Sequence, residues 1–448
     1  MSHYRKHKHH HTRAPSGDAP PPRVAVVAGL RTPFVRSGGD FKDLSAVDLG
    51  AIVVNELVAR SGLPVTEFDA LVFGQVIPSQ LSSLIGREVV LRTELPRTLP
   101  AHTTSRACAT SIQAATEAAD QILLGHADTV IAGGAESLSD APIFASRKLA
   151  QALVAASRAR GVPEKIRAFA GLSWKDAAPV PPALKEPTTG LTMGESAQKM
   201  AWENGIGREV QDRFALESHR KAADAWASGK FAEEVMAVEV PPRFQKVAAA
   251  DNNVRTDATF DALAGLKPVF DRRYGTITAG NSSPLTDGAA AVILMSEGRV
   301  KELGLRPLGW LRAYAYAATD PGEQLLQGPA YAAPVALDRA GLTLADMDVV
   351  EMHEAFAAQV LSNLQAFASA EFAEKRLGRA APLGEVDPSR LNPNGGSIPL
   401  GHPFGATGAR MITQALRELG RRKGRHALLT ICAAGGLGAA VVLDGPEA

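Results

Sequence analysis

The strongest constraint on the fold of this chain is an internal repeat. The segment RSGLPVTEFDALVF begins at Arg60, and the similar segment RAGLTLADMDVVEM begins at Arg339, 279 positions later. In each copy an amphipathic helical pattern ends at a glycine, another turn follows, and a short apolar strand begins. A repeat at a constant offset indicates that one fold unit occurs twice in the chain.

Two further pairs of segments extend the repeat. A helix, a turn, a buried strand and glycines follow Thr110, and the same order follows Thr407. A continuous apolar run follows Gly288 and another follows Gly438, as expected of strands that are covered on both faces. Helices that alternate with buried strands predict an α/β protein made of two similar layered halves packed together.

The repeat also predicts the domain organisation. Residues 1–22 are His- and Pro-rich and are expected to be disordered, whether they are native or an added tag. Residues 23–142 with 275–297 form the N-terminal half, and residues 298–446 form the C-terminal half. Residues 143–274 are surplus to the repeat, and we interpret them as an inserted, helix-rich loop domain.

Composition limits the classes of partner. The chain has 448 residues, 45% hydrophobic and 21% charged, which is typical of a globular protein of two or three domains. A formal net charge of +1 provides no field that would recruit nucleic acid, so a small-molecule partner is expected. No apolar run approaches the roughly 20 residues of a membrane span and no secretory signal is evident, so we expect a cytoplasmic protein.

The chain contains two cysteines, Cys108 and Cys432, which are 324 positions apart. They cannot form a CxxC redox pair and are too few for a cysteine-only zinc site. Cys108 lies in SRACATSIQAA, just before a helical pattern, where the helix dipole favours a thiolate and free backbone N–H groups can stabilise an oxyanion. A lone cysteine near a helix is often only structural, so this segment alone leaves both interpretations open.

Two glycine-rich segments carry further candidates. NPNGGSIPLGHPFGATGARM surrounds His402 with glycines and leads into a helix, which indicates backbone held close to a ligand. The strand LLTIC delivers Cys432 into the tight turn AAGGLGAA. The glycine spacing there does not match a dinucleotide-binding fingerprint. The pseudo-symmetry of the repeat predicts that Cys108, His402 and Cys432 meet at one seam.

His353 begins HEAFAAQ just after the strand DVVEM, at a strand-to-helix turn where side chains reach a crevice. Ala357 stands where a zinc HExxH pattern would need its second histidine, so no metal site is expected. Four other histidines are expected in loops or on helical faces as structural or solvated residues, namely His102, His126, His219 and His426.

As a set, Cys108, HEAF, GHPFGATG and CAAGGLG resemble the thiolase family, and the resemblance runs from Arg23 to Gly445. It includes RTPF at Arg31 and GNSSPLTDGAAA at Gly280. It implies a thiolase fold, in which two pseudo-symmetric halves form α/β/α/β/α layers, with the loop domain inserted.

Two departures from the commoner thiolase pattern point to a branch of the family. This chain has His353 where Asn is commoner, and Ala434 where a glycine is commoner. With the loop SRKLAQALVAASRARG at Ser146, these features resemble the thiolase (β) subunit of multifunctional fatty-acid oxidation complexes. That resemblance implies a homodimer assembled with an α-subunit that carries hydratase and 3-hydroxyacyl-CoA dehydrogenase activities, as a heterotetramer.

The resemblance implies a reaction as well: thiolytic cleavage of 3-ketoacyl-CoA by CoA to acetyl-CoA and a shortened acyl-CoA in fatty-acid β-oxidation. Cys108 would carry the acyl group and His402 would accept its proton. Cys432 would protonate the departing enolate. His353 would hold an oxyanion water or donate to the oxyanion, and the backbone N–H groups of Cys108 and Ala434 would stabilise the tetrahedral oxyanion.

The resemblance further places Met193, Ser283 and Arg255 at the CoA site, with CoA as co-substrate and no cofactor. Residues 143–176 hold seven Lys or Arg against two acids, and they also show a helical apolar stripe. This basic helical segment is either solvated or a contact for acidic lipid headgroups or the α-subunit.

Three rival functions share parts of this pattern. A biosynthetic thiolase uses the same residues and differs in chain-length preference. A ketoacyl synthase would not need Cys432. A catalytically silent lipid-binding or scaffold protein with this fold would have little reason to keep both thiols and the glycine segments. Acyl-chain preference and physiological direction stay open.

Overall fold

The computed structural model describes residues 22–79, 82–178, 180 and 185–448, so the expected disordered tail lies, except for Pro22, outside the described residues. The strands are β1 Val24–Arg31, β2 Val35–Arg36, β3 Ala70–Gly74, β4 Ala101–Thr104, β5 Thr129–Glu136, β6 Val238–Glu239, β7 Val247–Ala248, β8 Thr286–Ser296, β9 Gly309–Ala318, β10 Val349–Met352, β11 His426–Ala433 and β12 Leu437–Asp444. The α-helices are α1 Ala46–Ser61, α2 Ile85–Leu91, α3 Thr110–Leu123, α4 Arg147–Arg158, α5 Val162–Arg167, α6 Met193–Glu203, α7 Arg208–Ala227, α8 Phe260–Ala264, α9 Glu297–Leu303, α10 Gly328–Ala340, α11 Ala357–Ala368, α12 Ala370–Leu377, α13 Ser397–Leu400 and α14 Thr407–Arg422.

Nine of the strands form one continuous path in the order β10-β11-β12-β9-β1-β8-β5-β3-β4, and β2 pairs with β8. Read from the middle outward, β1-β8-β5-β3 in one half matches β9-β12-β11-β10 in the other. The relative strand directions match as well. The pairs β3–β5 and β10–β11 are both parallel, and the pairs β5–β8 and β11–β12 are both antiparallel. The two halves join where β1 runs antiparallel to β9.

The helices lie in three layers around these strands. The core between the halves contains α3 and α14 side chains, such as Ile112 and Ile412, packed against strands of both halves. A second core lies between α1, α2 and the outer face of the N-terminal strands, and a third lies between α10, α11 and the C-terminal strands. The order is therefore α/β/α/β/α, as the resemblance to the thiolase family implied.

The repeat is visible in the backbone of its two copies. Helix α1 ends at Gly62 with φ 68°, and α10 ends at Gly341 with φ 67°, the left-handed conformation that glycine adopts without a Cβ clash. A short 3₁₀ turn and a buried strand, β3 or β10, follow in each case. Local sequence thus forms the same unit twice.

Helices α4 to α8 and the small β6–β7 ribbon lie between β5 and β8 in the chain. Helices α6 and α7 pack against α11 and α13 of the C-terminal half. Helices α4 and α5 instead expose apolar side chains, including Leu153, Val162 and Ile166, and Trp174 nearby is 94% exposed. No helix in the described part of the chain is long and apolar enough to cross a membrane.

Candidate active site

Cys108 lies in the turn between β4 and α3, two residues before the helix begins. The preceding residue, Ala107, has φ 45°, a conformation that a residue with a Cβ adopts at a cost. Thr110 stabilises the turn, because its Oγ1 accepts from Arg106 N at 2.8 Å and donates to the Ala107 carbonyl at 2.7 Å. The turn therefore holds the thiol at the start of α3.

His402 lies in the loop between α13 and α14, in the matching region of the C-terminal half. Gly401 before it has φ 105°, and a Cβ at that position would contact the side chain of Thr286. His402 Nδ1 is 2.7 Å from Thr407 Oγ1, and its ring centroid is 4.9 Å from that of Phe404. One ring nitrogen is thus used for support, and the other is left to face the site.

His353 follows β10 directly, and its backbone N–H donates to the Thr430 carbonyl of β11. Its Nδ1 is 2.8 Å from Ser397 Oγ at the start of α13. The ring centroids of His353 and His402 are 4.1 Å apart. The two imidazoles therefore form one pair, and a hydroxyl group supports each from behind.

The structure brings Cys108 next to this pair. One ligand atom from each of Cys108, His353 and His402 lies within 4.8 Å of the other two. The Nε2 atoms of both histidines are buried and have no hydrogen-bond partner within the described residues. A buried polar atom without a partner is costly, so these two atoms are available to hydrogen-bond a group that enters the site.

The same three side chains are also types that bind zinc. In a tetrahedral zinc site the metal–ligand distances of about 2.0–2.3 Å place ligand atoms about 3.5 Å apart. The spread of up to 4.8 Å would have to contract to reach that geometry. The expectation of no metal stays a prediction.

Cys432 occupies the second-to-last position of β11, opposite Gly438 of β12, and is 1% exposed. It belongs to an apolar cluster with Leu325 and Ala358, against which Met193 packs. Burial raises the pKa of Cys432 well above its usual value, and a charge on Cys108 raises it further. The second thiol is thus close enough to respond to the first.

The backbone of the β11–β12 turn also faces Cys108. Burial raises the pKa of the Cys108 thiol to about 12, while hydrogen bonds from the N–H groups of Ala434 and of Cys108 itself oppose the rise. The sequence-based expectation that the helix dipole would favour a thiolate is therefore wrong for the resting protein. The dipole stabilises an anion by about 1 kcal/mol, whereas burying an unpaired charge costs several times as much.

The same burial shifts the pKa values of the two histidines in the opposite direction, downward. Burial lowers the pKa of His402 to about 3, and it lowers that of His353 well below the usual 6.5, aided by the nearby His402 and Arg410. At neutral pH the resting site consists of a neutral thiol and two neutral imidazoles.

Glu136, which was not predicted from the sequence, accepts hydrogen bonds from two loops beside the site. Its carboxylate accepts hydrogen bonds from the N–H groups of Val76, Ile77 and Gly405 at 3.0–3.1 Å. Burial raises its pKa to about 7, and its charge raises the pKa of Cys108. The available signal was a single acid at the end of the otherwise apolar strand TVIAGGAE.

A second missed group lies behind the histidines. Arg410, in α14, is 1% exposed and donates to Ser397 Oγ at 2.9 Å, beside an ion pair with Glu351. Burial raises the pKa of Glu351 to about 8, while Arg410 opposes the rise. A basic residue on the buried face of an amphipathic helix was the sequence signal for this network.

The three residues expected to contact CoA lie in different surroundings. Met193 begins α6 and packs on the cluster that contains Cys432. Ser283 N donates to the carbonyl of Ala355, two residues after His353. Arg255 is exposed, and its backbone N–H donates to His219 Nδ1. Their binding roles stay predictions.

Two of the other histidines are not where the sequence placed them. His102 lies in β4 and contacts Glu117, and His426 begins β11 and contacts Asp444. Both were expected in loops or on helical faces, and apolar periodicity is too weak at short strand ends to distinguish these cases. His219 lies on α7 and His126 in the turn after α3.

Two family models match nearly the whole chain. The model described as "Thiolase, N-terminal domain" matches residues 24–298, and that described as "Thiolase, C-terminal domain" matches residues 305–445. Relatives named 3-ketoacyl-CoA thiolase are 53% identical in Aeromonas salmonicida and 52% identical in Vibrio cholerae. Both alignments cover 94% of this chain and 97% of the relative.

Solved structures are similar over the same length. A human mitochondrial 3-ketoacyl-CoA thiolase in complex with CoA is 32% identical with a TM-score of 0.79, covering 95% of this chain and 98% of that one. An acetyl-CoA acetyltransferase of Bacillus anthracis is 33% identical with a TM-score of 0.80, covering 94% and 98%.

Proposed function

The chain belongs to the thiolase family, and on that premise we propose that it is a 3-ketoacyl-CoA thiolase in which Cys108 carries the acyl group. The observation that carries the proposal is the cluster of the Cys108 thiol with two buried imidazole Nε2 atoms that have no partner in the described structure. Such an arrangement suits a nucleophile with an adjacent base and an oxyanion donor.

The first half-reaction forms the acyl-enzyme. His402 Nε2 takes the proton of Cys108 as its sulfur attacks the 3-keto carbon of 3-ketoacyl-CoA. The C2–C3 bond then breaks, and its electron pair forms the enolate of acetyl-CoA. Cys432 protonates C2 of that enolate, which leaves an acyl-Cys108 thioester, a protonated His402 and a Cys432 thiolate.

The second half-reaction restores the residues. The Cys432 thiolate takes the proton of an incoming CoA, whose sulfur attacks the acyl carbon. Cys108 leaves as a thiolate and recovers its proton from His402, so that the shortened acyl-CoA is the product and every proton is accounted for. CoA is thus a co-substrate, and the scheme uses no other cofactor.

The surroundings of Cys108 fit this scheme. The N–H groups of Cys108 and Ala434 already face the sulfur, and they suit the oxygen of the tetrahedral intermediate. The raised thiol pKa and the lowered His402 pKa keep the pair neutral until substrate enters. Partial burial of Cys108 also limits the access of water to its thioester.

The proposed CoA contacts are Met193 and Ser283 near the thiols, with Arg255 toward the nucleotide. The support for Met193 is its packing on the cluster that contains Cys432, and the support for Ser283 is its hydrogen bond to Ala355, two residues after His353. Exposure of Arg255 suits a contact with a phosphate that stays partly in solvent. Arg255→Ala is expected to raise the KM for CoA with little change in kcat.

One assay tests the function directly: thiolysis of 3-ketoacyl-CoA substrates of increasing chain length, with the parent and Cys108→Ala. The parent should cleave substrates longer than acetoacetyl-CoA, and the variant should not. Cleavage restricted to acetoacetyl-CoA would favour a biosynthetic thiolase instead. Thiolysis that survives in Cys108→Ala would refute the proposal.

We also propose the assembly and location of the enzyme. The proposed domains are the N-terminal half, residues 23–142 with 275–297, the loop domain 143–274 and the C-terminal half 298–446. A homodimer is supported by β4, which ends the strand order and so leaves a sheet edge. The proposed partner is an α-subunit with hydratase and 3-hydroxyacyl-CoA dehydrogenase activities, in a cytoplasmic complex.

The α4–α5 surface is the proposed contact for that partner or for acidic lipid. Its support is the exposed apolar set of the loop domain beside the basic side chains of Arg158 and Arg160. Co-sedimentation with anionic liposomes and with the α-subunit should fall in Arg158→Glu/Arg160→Glu, while thiolysis stays unchanged. Unchanged liposome binding would remove the membrane contact.

A further inference from the structure

The hydroxyl groups behind the two histidines differ in one respect. Thr407 Oγ1, behind His402, has a second acceptor in the Pro403 carbonyl at 3.3 Å. Ser397 Oγ, behind His353, has instead a second donor, Arg410 Nη2 at 2.9 Å. A hydroxyl carries one proton and can donate only one hydrogen bond. The second partner, the Pro403 carbonyl or Arg410, therefore determines whether the hydroxyl accepts from the imidazole or donates to it.

For His402 the consequence is a lone pair on the site-facing nitrogen. Thr407 donates its proton to the Pro403 carbonyl and therefore accepts from His402 Nδ1–H, at 2.7 Å. A neutral imidazole holds one ring proton, so Nε2 is unprotonated. His402 is then ready to accept the proton of Cys108.

For His353 the consequence is the reverse. Arg410 fills a lone pair of Ser397 Oγ, and within the described residues the one hydrogen-bond acceptor available to the Ser397 proton is His353 Nδ1, at 2.8 Å. The ring proton of His353 is therefore on Nε2, which points into the site without a partner in the described structure. His353 is a donor to an oxygen of the substrate.

We infer that Ser397 and Arg410 are positioning residues that hold His353 as a hydrogen-bond donor, while Thr407 holds the adjacent His402 as an acceptor, so that two neighbouring imidazoles have opposite roles. The inference rests on the proposed thiolase function and deepens it. The lowered pKa values of both rings agree with it, since each must be neutral to hold a single proton.

With opposite tautomers, one imidazole accepts the thiol proton and the other donates a hydrogen bond to the enolate. His402 takes the thiol proton, and His353 Nε2–H stabilises the oxygen of the departing enolate without giving up its proton. The same assignment makes the cluster with Cys108 a poor metal site, because a protonated Nε2 offers no lone pair to a cation. Ring centroids 4.1 Å apart also favour a pair in which the two rings stay neutral.

The tautomers are measured directly in protein labelled with ¹⁵N-histidine. The ring N–H signal that disappears in His353→Asn is expected to be of the Nε2 type, and the one that disappears in His402→Asn of the Nδ1 type. An Nδ1–H on His353 would overturn the inference. The tautomers are read in the parent protein and the two histidine variants serve only to assign its signals, so the result does not depend on how well a Ser397 variant folds.

A double-mutant cycle then tests the positioning role. Ser397→Ala should lower kcat for thiolysis about 10-fold or more, with the KM for CoA changed less than about two-fold, because it acts on the oxyanion donor. In a His353→Asn background the same change should cost less than about two-fold, because an amide N–H₂ donates without any tautomer to select. Equal losses in both backgrounds would reduce Ser397 to a structural role.

The two levels of the proposal fail separately. If Cys108→Ala keeps thiolysis, the thiolase mechanism fails whatever the spectra show. If Cys108→Ala loses thiolysis but the Ser397→Ala losses are equal in both backgrounds, the mechanism stands and the positioning inference fails.

Discussion

The two halves of the molecule have the same backbone plan but contribute different chemistry. Helix α3 of the N-terminal half and α14 of the C-terminal half pack against each other at the centre. The turn before α3 carries the thiol of Cys108, and the loop before α14 carries the imidazole of His402. Where β5 ends in the carboxylate of Glu136, the matching strand β11 ends in Cys432 and Ala433.

This difference shows that neither half contains the site alone. The nucleophile comes from one half, while both histidines and the second cysteine come from the other. Close approach of the two backbones makes the combination possible: a Cβ on Gly134 would overlap the carbonyl of Gly405. Pseudo-symmetry places groups at equivalent positions, and divergence of the two copies then gives those positions different roles.

The largest expected effect comes from removing the N-terminal half's contribution. Cys108→Ala should lower kcat/KM for thiolysis by at least about 10⁴-fold, because no acyl-enzyme can form. Intact-mass spectrometry after mixing with 3-ketoacyl-CoA should show the acyl adduct on the parent and none on the variant. An adduct of equal yield on the variant would move the nucleophile elsewhere.

Removing the C-terminal half's thiol should cost less. Cys432→Ser should lower the rate of thiolysis by about 10²- to 10³-fold, the range of a lost general acid or base, because the enolate and the incoming CoA lose their proton partner. The acyl adduct on Cys108 should still be detectable by mass. A normal rate of acyl exchange in this variant would remove Cys432 from the mechanism while leaving Cys108 in place.

Disturbing the close contact between the two halves should mainly lower the stability of the protein. Gly134→Ala should lower the free energy of unfolding by about 3 kcal/mol, because its Cβ overlaps backbone that cannot move aside. Thermal unfolding measures the change. The matched control is Gly171→Ala, at a glycine whose Cβ would have nothing within 4 Å, and it should leave the Tm unchanged. Equal shifts would mean that the seam is not tightly packed.

The smallest expected effect is an opposite pH dependence of stability in the two halves. Glu136 has a pKa raised from 4.5 to about 7, so the unfolded chain loses this proton first and the contribution of Glu136 falls as pH rises through that window. His402 has a pKa lowered from 6.5 to about 3, so its contribution is present above pH 6.5 and is lost as pH falls toward 3.

Thermal unfolding of Glu136→Gln and His402→Asn at pH 5 and pH 7 tests this contrast. Relative to the parent, the first variant should gain stability and the second should lose it as the pH rises, each on the order of 1 kcal/mol. The same sign in both variants would contradict the assignment of one buried acid and one buried base to opposite halves.

Much of the fold and part of the site could be predicted from local sequence. The glycines Gly62 and Gly341 end their helices as expected, and the apolar runs after Gly288 and Gly438 form β8 and β12. These features depend on residues that are neighbours along the chain. The motif residues Cys108, His353 and His402 were found the same way, and the structure brings them within reach of one another.

The ionisation of the site could not be predicted in the same way. The sequence argument for Cys108 used the helix dipole alone and reached the wrong direction for its pKa, because desolvation of the thiol in the folded protein outweighs the dipole. Glu136 was missed because its partner Gly405 is 269 residues away. Ser397 was missed because nothing near it in the chain indicates a role. Arg410 stood out only as a basic residue on the buried face of a helix, and the sequence does not show that it lies behind His353.

The sequence by itself therefore determined the repeat, the alternation of helices and strands within it, and the two thiols and two histidines on which the proposed reaction depends. The tertiary structure alone decided that these groups share one buried seam, that both thiols are neutral there, and which hydroxyl donates to which imidazole. The physical reason is that helix ends and strand patterns follow from nearby residues, whereas a pKa or a hydrogen-bond role follows from every atom within a few ångströms, whichever half supplies it.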